Sequence, residues 1–199
     1  MSGVSIWVIA LIAWAITTYV LRNLRRWLLF YLVGAFGFVI IVALGAATFD
    51  VDTAVEGVEA AQVASIANAM GVDVSAVGPS GLAVPTGDGW AVFEITLECS
   101  AILEIAALVA LVCFYPAFRP LERAIRALIG LAITYIVNLM RIVLIVSIIH
   151  WQGTSWVFAS HAVFGRLFFL AATIALYWFL ITRPTVHVTR RRIEEAVSS

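Results

Sequence analysis

Five apolar runs, residues 4–21, 27–49, 101–118, 127–149 and 156–181, leave this chain of 199 residues very little room to be anything but a bundle of membrane-crossing helices. About 20 apolar residues in a helix cover the roughly 30 Å hydrocarbon core of a bilayer. Within lipid a spanning segment must satisfy its own backbone, which a lone helix does and an open strand does not. Arginines punctuate the runs. Arg22, Arg25 and Arg26 lie between the first and second, Arg119, Arg123 and Arg126 between the third and fourth, and Arg183 and Arg190 to Arg192 after the fifth. They recur at every second connection, so a missed or spurious span would strand one cluster on the wrong side. Basic residues favour the cytoplasm, which places the amino terminus outside the cell membrane and the carboxyl tail inside.

Composition agrees, since 63% hydrophobic and 12% charged residues give far too little polar surface for a soluble chain of this length. The run at residues 4–21 has no small-residue cleavage site before Arg22 and reads as a retained span. The expected fold is an all-α polytopic membrane protein of about five transmembrane helices, with a small extracytoplasmic helix and a short strand segment. Arginines confined to short connections, with no net charge, suggest no nucleic-acid partner. Trp27, Trp151, Trp156 and Trp178 fall near span ends, where interfacial anchors belong.

The stretch 50–98 carries Asp50, Asp52, Glu56, Glu59, Asp73, Asp88, Glu94 and Glu98 without one Lys or Arg, and so belongs outside. Val55, Val58, Gln62, Ile66 and Met70 follow a helical period, with Asp52 as cap and Gly71 as stop, an amphipathic helix lying over the membrane surface. Residues 78–81 and 85–89 read as turns. From 91 to 98 the pattern alternates, Phe93, Ile95 and Leu97 facing one way and Glu94, Thr96 and Glu98 the other, a short strand running into Cys99. The chain thus divides into two amino-terminal spans at 1–49, an extracytoplasmic segment at 50–98, a three-helix core at 99–182 and a basic cytoplasmic tail at 183–199.

Arg141 interrupts the apolar run 127–149. Its guanidinium stays charged at any accessible pH, and carrying it in a spanning helix costs roughly 2.5–3.5 kcal/mol on insertion scales, so a partner or a function must compensate. Cys99 heads the third run, and His161 lies about 7 Å into the fifth from the same outer face, with Arg141 about 12 Å deep. Three chemically useful groups on three helices therefore share the outer half of the bilayer. A thiol at a helix start meets the positive end of the helix dipole, and a neighbouring cation favours the nucleophilic thiolate. Each has a plainer reading: a buried inert thiol, an interfacial histidine, and a structural ion pair in which Glu104 on the third run neutralises either Arg166 on the fifth or Arg141. Asn138 shares the face of Arg141. Cys113, about 21 Å along the same helix from Cys99, is too far away for a disulfide. His150 is assigned to a loop and His187 to the tail. Two candidate ligands are too few for zinc, so neither a metal nor another cofactor is expected.

Residues 98–102 (Glu-Cys-Ser-Ala-Ile), 138–142 (Asn-Leu-Met-Arg-Ile) and 161–165 (His-Ala-Val-Phe-Gly) resemble, in order and general spacing, three signature blocks of the exosortase and archaeosortase family, membrane cysteine transpeptidases. The resemblance covers roughly residues 93–169. Ala101 stands where the family usually has glycine after the Cys99-Ser100 pair, and this chain is shorter than many members. The resemblance implies that Cys99 attacks a backbone carbonyl in a carboxyl-terminal sorting signal made of a short motif, a transmembrane helix and a basic end, leaving a thioester. It implies Arg141 as oxyanion or thiolate stabiliser and His161 as acid and base, with Asn138, Ser100 and Glu104 in support. Arg166 is the alternative third group, since archaeal relatives use arginine there. Partners would be sorting-signal proteins and membrane lipid. The rival reading is a non-enzymatic accessory protein or small-solute carrier built on an intramembrane network of Arg141, Glu104 and Arg166.

Overall fold

A computed structural model of the chain describes residues 2–96, 99–115 and 118–183. Four helices are long and apolar enough to cross a membrane: α1 (Gly3–Asn23), α2 (Trp27–Thr48), α5 (Pro120–Gln152) and α6 (Thr154–Thr182). Between α2 and α5 come α3 (Val51–Ala69), the strands β1 (Ser75–Val77), β2 (Gly81–Thr86) and β3 (Gly89–Glu94), and the shorter α4 (Ile102–Phe114). The chain is a multi-pass membrane protein.

Helices α1 and α2 pair through aromatic groups that reach across to backbone. Trp7 Nε1 donates to the Ile41 carbonyl at 3.0 Å, and Trp14 Nε1 to that of Val33 at 3.2 Å. Such contacts need the helices close. Gly34 and Gly37 provide that closeness, since a Cβ at either position would collide with the Phe114 or Trp14 ring. Phe114 stacks edge-on against Trp14 and Phe30, tying α4 to the first two helices.

Helix α4 corrects the expected third span. It has 13 residues, about 20 Å of helix, against the 18 expected. It starts late because residues 99–101 form a turn, and it stops at Tyr115, which precedes Pro116 and is extended (φ −68°, ψ 118°), as a residue before proline prefers. Helix α5 errs the other way. At 33 residues, about 50 Å, it outreaches the hydrocarbon and absorbs Arg123, Arg126 and His150, which had been given to connections.

The basic residues gather at one end. Arg22 and Arg123 line a common cleft with Trp27, and Arg126 donates to the Leu180 carbonyl at 2.6 Å near the end of α6. At the other end, β1, β2 and β3 form an antiparallel sheet in that order. The alternation expected from residue 91 is present: Ala91 and Ile95 are buried, Phe93 is half-buried, and Val92 and Glu94 are exposed. Two further strands extend the sheet from it, β2 beside it, across the segments read as turns, and β1 beyond. Pro85 falls inside β2, tolerated because β1 pairs only with residues 81–83 and leaves that edge free. Beneath the sheet, Leu82, Val84 and Ile95 pack with Val63 of α3 and Val146 and Ile149 of α5 in one core.

Helix α3 exists as expected, and a stripe of small residues forms its buried face. Val58, Ile66 and Met70 are exposed, while Glu56, Glu59, Ala60, Val63, Ala64 and Ala67 are buried. Small residues on that stripe admit close approach to α5 and β2. Asp50, at a left-handed φ of 53°, takes the cap position, and Asp52 sits in the first turn; Gly71 ends the helix at φ 81°.

Candidate functional site

The strand β3 delivers the chain to a tight turn. The Thr96 carbonyl accepts both the Cys99 N–H (2.7 Å) and the Ser100 N–H (2.8 Å). Two side chains grip the turn. Asn138 Nδ2 donates to the Cys99 carbonyl at 3.0 Å, and the Ala101 N–H donates to Glu59 Oε1 at 3.1 Å. Ser100 is fully buried and its hydroxyl accepts the Ile102 N–H at 3.4 Å, just ahead of α4. Buried N–H and C=O groups need such partners, so the turn has little freedom to relax.

This turn presents the Cys99 thiol to His161. The sulfur lies 3.6 Å from Nε2 and 4.0 Å from Nδ1 of the imidazole, within reach for proton exchange. His161 sits in a widened helical turn, Ser160–Gly165, whose closing bonds skip one residue more than in an α-helix. The bulge re-aims the side chains it carries. Gly165 is buried there against Ile145 of α5, where an added Cβ would approach a side-chain carbon to 2.7 Å. Thiol and imidazole open on a cleft of about 520 Å³ whose walls include Phe93, Glu94, Thr96 and Phe158.

The sheet is fastened over the cleft by contacts that the sequence does not advertise. Asp88, at the β2–β3 tip, accepts from the Thr154 hydroxyl at 2.7 Å and the Thr154 N–H at 3.3 Å. Hydrogen bonds from Thr154 and Thr86 hold its carboxyl down to about 2, below the usual aspartate range. His150 Nδ1 lies 2.7 Å from the Pro85 carbonyl, an acceptor, so that nitrogen carries the proton.

Arg141 is 5% exposed and stands one turn beyond Asn138 on α5. Its Nη1 lies 4.0 Å from Glu104 Oε1, and its guanidinium sits 5.3 Å from the centre of the Phe169 ring. Of the two pairings weighed for this network, the structure has Arg141 with Glu104. Arg141 Nε and Glu104 Oε2 remain buried without a hydrogen-bond partner among the described residues. Arg166, in contrast, is exposed where regular helix resumes after the widened turn. Cys113 is exposed and reduced. His187 and Glu98 lie outside the described residues. Among the described residues, no three His, Cys, Asp or Glu side chains gather as metal ligands would.

One site residue escaped the sequence reading. Glu59 is fully buried, bonded to the Ala101 N–H and beside Asn138. Burial pushes its carboxyl up to about 7, against the opposing pull of the Ala101 N–H and the Asn138 amide, with Glu104 and Glu56 adding like charge. A signal for it existed: Glu56 and Glu59 stand in line with the small-residue stripe Ala60, Val63, Ala64 and Ala67, the face that packs.

No curated protein and no solved structure matches the chain. A family model does, over residues 1–178, taking in the first two spans as well as the region that carries the three blocks; it is the model described as Transmembrane exosortase (Exosortase_EpsH). A bundle of membrane helices that sets a thiol against an imidazole at its sheet-bearing end, matched over most of its length by that model, belongs to the transmembrane exosortase family.

Proposed function

We propose that this exosortase-family protein is a cysteine transpeptidase or protease that cleaves the carboxyl-terminal sorting signal of secreted proteins, a signal of short motif, transmembrane helix and basic end. The observation that carries the reading is the 3.6 Å approach of Cys99 Sγ to His161 Nε2 at the mouth of an open cleft. The thiol proton passes to His161, and the thiolate attacks the scissile carbonyl carbon, forming a carbon–sulfur bond. The tetrahedral intermediate collapses with loss of the carbon–nitrogen bond, and the imidazolium returns its proton to the departing amine. A thioester remains on Cys99. An amine or a lipid headgroup then resolves it and anchors the product, or water does so and the enzyme acts as a simple protease.

Arg141 supplies permanent positive charge for the oxyanion or the thiolate, at a buried position where a charge acts more strongly than in water. Asn138 holds the Cys99 carbonyl, Ser100 accepts the Ile102 N–H at the start of the helix behind it, and Glu104 balances the guanidinium. Arg166 is exposed, which favours His161 as the third group. The site lies on the extracytoplasmic side, because the arginine clusters occupy the opposite end of the bundle and basic residues favour the cytoplasm. A tripartite substrate with its own membrane helix would then offer its scissile bond at the level of Cys99.

The buried Arg141–Glu104 pair also favours a second reading, a non-catalytic accessory protein or carrier with an internal charge network. Co-expression with a sorting-signal substrate separates the two. Cys99→Ala and Cys99→Ser are expected to abolish processing at unchanged protein abundance, and the wild type to yield a substrate fragment in thioester linkage to Cys99 by mass spectrometry. Processing that persists in Cys99→Ala refutes the transpeptidase reading.

A further inference from the structure

A buried carboxyl with one oxygen bonded and the other idle calls for an explanation. Glu59 has no exposed surface; its Oε1 accepts from the Ala101 N–H at 3.1 Å, and its Oε2 has no hydrogen-bond partner among the described residues. Asn138 presents the complementary defect. Its Nδ2 donates to the Cys99 carbonyl at 3.0 Å, an acceptor-only group that dictates which way the amide faces, and this leaves Oδ1 buried without a partner among the described residues. Glu59 and Asn138 lie beside one another.

We propose that Glu59 is a positioning residue for the Cys99 thiol, a buried brace that clamps the Cys99–Ala101 turn through Ala101 and Asn138 and works by hydrogen bonding rather than by charge. Its Oε1 keeps the Ala101 N–H, and its carboxyl lies against the Asn138 amide that holds the Cys99 carbonyl. The Cys99 carbonyl is thereby held from one side and the Ala101 amide from the other, which sets the thiol against His161. The surroundings favour the neutral form. Among the described residues, the titratable groups that face Glu59 are Glu56 from its own helix, Glu104 from α4 and Tyr135 from α5, none of them a cation, and the Arg141 guanidinium engages Glu104. Burial against the same side chains raises the carboxyl to about 7, in keeping with a proton retained near neutral pH.

The role presupposes that Cys99 is the nucleophile, so the test needs a readout that does not depend on a substrate. In the full chain carrying Cys113→Ala, which removes the other thiol, Cys99 is alkylated with iodoacetamide across pH and followed by mass spectrometry, alongside processing of a co-expressed sorting-signal protein. Glu59→Gln keeps a carbonyl oxygen to accept from Ala101 and a polar group against Asn138, without a charge. It is expected to keep the wild-type alkylation profile and processing. Glu59→Ala is expected to change the pH profile of alkylation and to lower processing by up to roughly a hundredfold, the scale of a misplacement of about 1 Å. Should Glu59→Ala not accumulate, Glu59→Asp, one methylene shorter, is expected to show the same defects in milder form. Failure of Glu59→Gln to match wild type, or a wild-type alkylation profile in Glu59→Ala or Glu59→Asp, overturns the proposal. Alkylation that follows expectation while Cys99→Ala still processes substrate overturns the transpeptidase reading and leaves the brace intact.

Discussion

Removing the carboxylate that faces Arg141 tests whether the buried charges depend on one another. At 4.0 Å and an effective dielectric constant of about 20, the attraction between Arg141 and Glu104 is about 4 kcal/mol. Breaking one partner of a buried pair strands the other, which typically costs about 3–5 kcal/mol. The Phe169 ring, 5.3 Å from the guanidinium, returns about 1–2 kcal/mol of that. Glu104→Gln is therefore expected to destabilise the protein by about 3 kcal/mol, which for a chain of this size lowers Tm by roughly 6–12 °C. Arg141→Met is expected to cost less, because the Glu104 side chain is 25% exposed and keeps part of its hydration. The double variant decides the matter: with both charges gone no ion is stranded, and it should be no less stable than Glu104→Gln alone. The assay is reversible thermal unfolding of the purified protein in detergent, followed by tryptophan fluorescence. If the two single effects add to within about 0.5 kcal/mol in the double variant, the groups do not interact and the reasoning fails.

Glu59 makes stability depend on pH with a defined sign. Its carboxyl titrates at about 7 in the folded chain against 4.5 ordinarily, so the native state holds more protons between those values, and stability falls as pH rises from about 4.5 to about 7, by roughly 3 kcal/mol at most. Glu59→Gln should flatten the dependence of Tm over that window; a slope equal to wild type would place its origin elsewhere. Asp88→Ala removes the tie from the β2–β3 tip to Thr154, and amide exchange there and at Thr154 should quicken while the core strands stay protected. Unchanged exchange at the tip would mean that the tie does not hold the sheet in place. Gly37→Leu drives a side chain into the Trp14 ring and should separate α1 from α2, at about 1–3 kcal/mol with a shift in tryptophan emission. Wild-type stability and emission would show that the helices do not pack there.

The errors of the sequence reading share a cause. On α3 the period of the larger apolar residues, Val58, Ile66 and Met70, drew attention from the alanine stripe, which packs and brings Glu59 inward. Hydrophobicity ranks residues by their aversion to water, and in a membrane protein exposure to lipid meets that preference as well as a core does; small size then decides which face approaches a neighbouring helix. The third run overshot α4 because Ala101 is as apolar as a helix residue but serves a turn closed by Thr96 and Glu59. Strand β2 was missed because Gly81 and Pro85 carry turn signals, and pairing with β3 over residues 81–86 overrides them.

The amino-acid sequence alone determined that this chain lives in a bilayer as a helical bundle, for hydropathy and the recurrence of arginine are local properties that no packing can alter. It also supplied Cys99, Arg141 and His161, since a thiol, a cation and an imidazole at span positions stand out against an apolar background. Only the tertiary structure decided that Cys99 meets His161 at 3.6 Å, that Arg141 pairs with Glu104, and that Glu59 and Asn138 close on the intervening turn. Those are contacts between groups 37 to 62 residues apart. Separations of that kind depend on how helices rotate and cross, which one-dimensional periodicity does not encode.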